Sequence, residues 1–389
     1  MDEINKDLAF LFGSGISIPA GLPSTSGITE RVLSGKDVSR HTSTIYYNGP
    51  PMFGSPDEYI PKVNVFLKRL KSEIDIYYSY DRKRIINYED LYSLASQIHD
   101  SESKNYDNPA IFSFIKQILA DSKDILSTTP YIPEHRWSLI DLSSEVTNYI
   151  RDIVLLEMAI QPKKLEYLNF IIDAVKDSYF NRKRFFTLNH DVLLESLFNK
   201  YSISFIDGFD QPVSQLRRWN PKLFESNQVS VYLLKLHGSI NWYFLEEDGS
   251  YTLSTPLNEF WQNNPRVNPL EDRPEILVGT LNKILQYSNP IYLDLQCSFN
   301  RLLNHSAKLI VSGYSFGDKA INSRIIQWLD SLPSRKIIII HPDPNYLLEH
   351  VRNAIRISWH RWLDDKKLFI LQKSVEETNW DELKKMLTK

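Results

Sequence analysis

Polar residues at the ends of apolar runs carry the first chemical suggestion in this sequence. Asn189 and Asp191 stand one residue apart after the run Arg184–Leu188, and His237 follows Val231–Leu236 directly. An amide and a carboxylate at that spacing can reach one ligand where a strand is just ending. A histidine at a strand end has the pKa for general-base work near pH 7. Each also has a plainer use: Asn189 or Asp191 is a good N-cap for the helical stretch from Val192, and a lone histidine is more often structural. Gly13-Ser14-Gly15 follows the run Leu8–Phe12, with Gly21 eight residues after Gly13. Backbone N–H groups in such a loop can cradle a pyrophosphate. The plainer reading is a tight strand-to-helix turn. The full G-x-G-x-x-G pattern fails, because Ile18 holds its third glycine position.

Gly313-Tyr314-Ser315-Phe316-Gly317 matches G-x-S-x-G, the nucleophile elbow of a serine α/β-hydrolase. Asp343 and then His350 or His360 follow in triad order. That assignment leaves the Gly13 loop, the Asn189/Asp191 pair and His237 without a role. A metal site from His190, Asp191, His237 and His341 has no short ligand spacing behind it. The single cysteine, Cys297, excludes an internal disulfide and any multi-cysteine zinc site built from this chain alone.

The elements that must position these residues read as buried parallel strands. Leu8–Phe12, Arg184–Leu188, Val231–Leu236, Lys308–Val311 and Lys336–Ile340 are short, apolar and rich in β-branched or aromatic residues. Glu275–Val278, ending at Gly279, reads as a further strand. Amphipathic stretches such as Val192–Lys200 and Lys319–Leu332 follow several of them. Alternation of strand and helix implies an α/β fold, a Rossmann-like parallel sheet flanked by helices. Ligands in such sheets bind beyond the carboxyl ends of the strands, where these glycines and polar groups cluster.

Between about 55 and 180 the pattern turns helical, as over Asn108–Asp124 and Trp137–Leu156, with Asn108-Pro109 as a helix start. This predicts a large helical insertion at 36–180, between sheet segments 1–35 and 181–389. Residues 36–60 read as a loop, Tyr243–Arg273 as irregular, and Val351–Lys389 as a strand flanked by helices.

The chain has 389 residues, 42% of them hydrophobic, which suffices for a packed core. With 45 basic and 48 acidic residues it does not read as a general nucleic-acid binder. Its apolar runs fall far short of the ~20 residues that span a bilayer. The polar, acidic start lacks the form of a signal peptide. These features predict a cytoplasmic protein.

Taken together, the motifs resemble the sirtuin family. Gly13-Ser14-Gly15-Ile16-Ser17 with Pro19-Ala20-Gly21-Leu22-Pro23-Ser24 resembles its nucleotide-binding signature. Thr187-Leu188-Asn189-His190-Asp191 resembles the T-x-N-x-D motif that holds the nicotinamide ribose. Leu236-His237-Gly238-Ser239 resembles the element with the catalytic histidine. Ser312-Gly313-Tyr314-Ser315 with Asp318, and Ile340-His341-Pro342-Asp343, resemble the later strand ends. The chain departs from the protein deacylases in lacking a four-cysteine zinc module, in carrying Ser24-Thr25 where a Phe-Arg pair often stands, and in its helical insertion.

It is more similar to the zinc-free sirtuin-like NADases of bacterial antiphage defence, of the stand-alone type that assembles with a HerA-type ATPase. That resemblance implies cleavage of NAD to nicotinamide and ADP-ribose, with NAD as substrate, no metal and a homo-oligomeric assembly. It implies Asn189 positioning the ribose or the water, His237 as base, and Asp191 orienting the ribose or a neighbouring donor. Gly13, Ser14, Gly15, Gly313 and Ser315 would bind phosphates, with Ser17, Gly21, Pro23 and Tyr314 in the same binding motifs and Asp343 at the adenosine end. A non-catalytic module that binds NAD or ADP-ribose is the alternative of another class; binding alone would need neither a base nor its pairing with Asn189.

Overall fold

A computed structural model describes residues 6–41, 44–51, 59–80, 85–105, 109–126, 137–213, 216–226, 229–246, 250–255, 273–279 and 289–388. The strands, numbered along the chain, are β1 (Leu8–Phe12), β2 (Val38–Arg40), β3 (Tyr46–Asn48), β4 (Lys183–Thr187), β5 (Arg217–Arg218), β6 (Val231–Lys235), β7 (Trp242–Glu246), β8 (Ser250–Ser254), β9 (Lys308–Ser312), β10 (Lys336–Ile340) and β11 (Leu368–Leu371). The chain divides into two compact units. The first holds Met1–Leu22, Ala159–Ile276 and Gln286–Lys389; the second holds Pro23–Met158 and Leu277–Leu285. The main segment of the second unit thus runs from Pro23 to Met158, where the sequence suggested an insertion at 36–180, and Leu277–Leu285 joins it.

The first unit is built on a six-stranded sheet in the order β11-β10-β9-β1-β4-β6. Every pairing in it is parallel. Read from β6, the strands follow the chain as 3-2-1-4-5-6, the doubly wound order of a Rossmann-like fold. Helices such as Leu193–Lys200, Pro290–Asn304, Lys319–Ser331 and Asn353–Asp364 belong to this unit. All five residues of β1, β4 and β6 are buried, as an apolar run covered on both faces requires. The charges inside these strands are each compensated. Arg184 bonds Asp7 at 2.6 Å and Ser306 at 3.0 Å, Lys183 donates to the Asp177 carbonyl at 2.9 Å, and Lys235 meets Glu195 at 2.8 Å.

Two strand expectations change. The sixth strand is β11, inside the C-terminal strand-and-helix stretch. Glu275–Val278 is not in the sheet; Ile276 makes only an isolated bridge to Gly238. Its residues are apolar enough, but the open side of β6 is taken by Ile206, which bonds Val231 and Leu233 on either side of Tyr232. The stretch from Tyr243 is partly regular: β7 and β8 form an antiparallel hairpin with β5 beside β8. Aromatic Trp242-Tyr243-Phe244 and the Asp248-Gly249 pair are the hairpin signals in that sequence. Residues 256–272 lie outside the described residues.

The second unit is mainly helical. Tyr88–Glu102 packs on Leu139–Met158 through buried Leu91, Ala95, Ile98, Val146, Ile150 and Ile153. Asn87 starts the former helix with a capping box, accepting from Glu89 N while Asp90 reaches back to Asn87 N. The hairpin β2–β3 stands in the stretch read as a loop. The expected helix over Asn108–Asp124 is Phe112–Asp121 behind a short turn at Pro109–Ile111, and Asn108 lies outside the described residues. Among the described residues, no helix is long and apolar enough to cross a membrane.

Candidate functional site

The chain leaves β6 at one edge and re-enters the sheet at β9, beside β1. The crevice of a doubly wound fold opens at this reversal, above the carboxyl ends of β1 and β9. Both ends are glycine loops, and they are pressed together. Gly13 N donates to Ser312 O at 3.1 Å and Gly15 N to Gly313 O at 3.0 Å. A Cβ on Gly13 would lie 2.5 Å from Gly313 O, and one on Gly313 would lie 2.4 Å from Ile16 N. Gly313 also has φ +66, a conformation glycine adopts without strain. These glycines therefore have a structural requirement of their own: two backbones meet where no side chain fits.

From that seam the loop runs through two short 3-10 turns, Ser14–Ile16 and Ile18–Ala20, ended by Gly21 at φ 92. On its other side Lys163 N donates to Ala20 O at 3.0 Å, and the Tyr167 hydroxyl donates to Ile16 O. Burial raises the Tyr167 pKa, with Asp191 adding to the effect, so the hydroxyl stays a donor. Pro23 is the first residue of the second unit.

Ser17 brings the loop to the end of β4. Its hydroxyl donates to Asp191 Oδ2 at 2.7 Å and accepts from Asn189 Nδ2 at 2.9 Å. Asn189 Nδ2 also donates to Gly13 O at 3.0 Å. Ionised Asp191 and the Gly13 carbonyl can only accept, so the direction of every bond is fixed and so is the amide orientation of Asn189. Both amide protons are used, and Oδ1 has no hydrogen-bond partner among the described residues. Ser17, Asn189 and Asp191 are 2%, 7% and 4% exposed, so water barely competes with this network. The N-cap of the helix Leu193–Lys200 is Val192, with no side-chain cap bond, rather than Asn189 or Asp191; Asp191 stands one residue earlier and still meets the helix start, its Oδ1 accepting from Leu193 N at 3.0 Å. Lys235 supports the turn from below, donating to the Asp191 carbonyl and to Glu195. Burial raises the Glu195 pKa and Lys235 opposes it.

At the end of β6, buried His237 meets Asp318, with 3.2 Å between Nε2 and Oδ2. Gly238, at φ +80, lets the chain turn tightly against Glu275 O, 2.1 Å from where a Cβ would stand. The ring of His190 stands 6.4 Å from that of His237, linking the turns after β4 and β6.

Tyr314 is buried, and its hydroxyl accepts from Asp318 N at 3.2 Å and donates to Asn322 Oδ1 at 2.8 Å. Ser315 is exposed and has no hydrogen bond among the described residues. Asp343 is exposed and caps the short helix Pro344–His350 through Tyr346 N at 2.9 Å. His350 is likewise held within that helix, at 2.7 Å from Tyr346 O. Ser315 is therefore not hydrogen-bonded to a triad histidine among the described residues, and the non-glycine residue at positive φ in the Gly313–Gly317 turn is Phe316, one after the serine. Among the described residues no group of three or more His, Cys, Asp or Glu could hold a metal ion. Burial lowers the pKa of His341, which hydrogen-bonds Asp343 N at 3.1 Å.

Sequence reasoning did not find Asp318 as the partner of His237. The sequence singled it out only as part of the motif Ser312-Gly313-Tyr314-Ser315 with Asp318, and its place just before the helical stretch at Lys319 marks a cap.

Residues 183–363, somewhat under half of the chain, match the family described as a SIR2-like domain. No curated protein matches in sequence. Among solved structures, a substituted Sir2 homologue in complex with 2'-O-acetyl ADP ribose is 12% identical, with 100% of this chain and 96% of that chain covered and a TM-score of 0.35. Another substituted Sir2 homologue, in complex with ADP ribose, is 14% identical over 100% and 97% of the two chains at 0.38. A complex of a Sir2 homolog with NAD is 13% identical over 98% and 88% at 0.36. Residues 183–363 are thus similar to a SIR2-like domain, and the Rossmann-like parallel sheet to which they contribute β4, β6, β9 and β10 has a crossover that brings the Gly13 loop, Asn189 and Asp191 together.

Proposed function

We propose that this chain is an NAD+ glycohydrolase that cleaves NAD to nicotinamide and ADP-ribose. The observation that carries the reading is the fixed amide of Asn189, locked by Ser17, Asp191 and the Gly13 carbonyl at the crossover. A loop that merely connected strands would have no use for a buried acceptor held in one orientation. In the reaction the bond from C1' to the nicotinamide nitrogen breaks. Its electron pair leaves on neutral nicotinamide, and an oxocarbenium-like ribose accepts water. Asn189 Oδ1 holds the water or a ribose hydroxyl, and His237 takes the proton as base. Asp191 acts through Ser17, keeping that donor oriented. Gly13, Ser14, Gly15, Gly313 and Ser315 hold the phosphates, and Asp343 lies toward the adenosine end. No zinc enters this scheme.

The motif resemblance extends the proposal to antiphage defence by NAD depletion, in a homo-oligomer assembled with a HerA-type ATPase. The test is nicotinamide release from NAD by purified protein, alone and with such an ATPase. His237→Ala and Asn189→Ala should each lower turnover by roughly a hundredfold or more. Full turnover in both folded variants would refute the assignment, and NAD binding without turnover in the parent would make the protein a binding module.

A further inference from the structure

We infer that Asp318 is a positioning residue for His237, forming a carboxylate–imidazole dyad that selects which ring nitrogen can act as base. The inference rests on the assignment of His237 as the base. Asp318 divides its carboxylate between two tasks. Oδ1 caps the helix Lys319–Ser331, accepting from Ala320 N at 2.8 Å and Ile321 N at 3.1 Å. Oδ2 is left for His237 Nε2 at 3.2 Å, with the side chains only 9% and 5% exposed.

An ionised carboxylate can only accept, so Nε2 carries the proton and the lone pair sits on Nδ1. The base therefore works through Nδ1. A buried negative charge at this distance also stabilises the imidazolium that forms when the proton arrives. The cap fixes Asp318 independently of the histidine, and Tyr314 fixes its backbone from the other side. Other titratable groups near the pair among the described residues include Tyr314, whose hydroxyl meets the Asp318 backbone, His190, Asp191, the Lys235–Glu195 pair, and Tyr292, whose hydroxyl approaches Gly238. None of them takes the place of Asp318 at Nε2 in the bonds described.

Asparagine caps a helix about as well as aspartate, so Asp318→Asn keeps the cap and removes the charge. The experiment is an NMR titration of histidine-labelled protein without substrate, with the His237 signal assigned by its loss in His237→Gln. The parent should show the Nε2–H tautomer. In Asp318→Asn the His237 pKa should fall by about one unit or more. The acid limb of kcat/KM should move down with it, and kcat should drop by roughly tenfold or more. Asp318→Ser, which also caps but cannot reach the ring, should behave like the asparagine variant. An Nδ1–H tautomer in the parent overturns the inference without recourse to any variant, and so does an unchanged titration in folded Asp318→Asn. If the dyad is found and the parent cleaves no NAD, the function fails while the dyad stands.

Discussion

Ser17→Ala probes the network on which the proposed site depends. The hydroxyl accepts from Asn189 at 2.9 Å and donates to Asp191 at 2.7 Å, all within a region almost closed to water. Alanine fits the space but leaves one amide proton of Asn189 without its acceptor and one carboxylate oxygen without its donor. A hydrogen bond to a charged group is worth ~1.5–3 kcal/mol and a neutral one about 1 kcal/mol, so the loss should be about 2–4 kcal/mol. In a unit of this size that lowers Tm by about 5–10 °C.

The same change frees the Asn189 amide to rotate, so nicotinamide release should fall by more than about tenfold, with kcat affected more than KM. A double-mutant cycle isolates the charged part. In an Asp191→Asn background the ionic bond is already gone, and Ser17→Ala should cost about 1–2 kcal/mol less than in the parent. Thermal unfolding of the four proteins measures this directly. An unchanged Tm in Ser17→Ala, or strictly additive costs, would mean that the three side chains do not act as one network.

Other expectations are as specific. Gly313→Ala should leave little folded protein, because its Cβ would overlap Ile16 N, whereas Gly21→Ala, with open space but φ +92, should cost only about 1–2 kcal/mol in thermal unfolding. Lys308 is pushed down to about 8 by burial and by Lys336 beside it in register. Its folded pKa lies below the unfolded value, so the unfolded chain binds more protons between about 8 and 10.5 and stability should rise with pH across that window. Lys308→Met should flatten that rise in denaturant titrations, by less than the full shift because the amine is only half-buried.

How much of this was legible in the sequence depends on how far apart the partners lie. The sheet could be read because most of its strands are local signals: four or five buried residues ending at glycine or a polar group. Even so, Glu275–Val278 shows the limit. Its composition is that of a strand, but pairing depends on whether an edge is open, and Ile206 occupies the edge of β6. The hairpin β7–β8 had a local signal in Asp248-Gly249, and aromatic strand formers before it, so it was within reach of pattern alone.

The site is harder to read, because one residue serves two purposes. For Asp191 the choice between helix start and ligand-site residue is not a real alternative. Its Oδ1 accepts from Leu193 N, two residues on, and its Oδ2 accepts from Ser17, 174 residues back. The first bond can be inferred from spacing; the second exists only once β1 and β4 pair. Asp318 repeats the arrangement, with a local cap on one oxygen and His237, 81 residues away, on the other.

The two cases share a physical cause. A short carboxylate that accepts from backbone N–H groups at a helix start is immobilised by them, and its second oxygen then points wherever the fold directs it. The cap contributes the rigidity that a positioned partner needs, at no further entropy cost. Gly13, Gly15 and Gly313 show the reverse. Read locally they suggest room for phosphate; in the fold their missing Cβ atoms first admit one another's backbone. The seam already uses the N–H groups of Gly13 and Gly15, so a phosphate at this loop would meet other donors on a backbone that the seam holds in place. Replacing a seam glycine should therefore abolish folding and binding together, whereas replacing Ser17 or Asp318 should separate them.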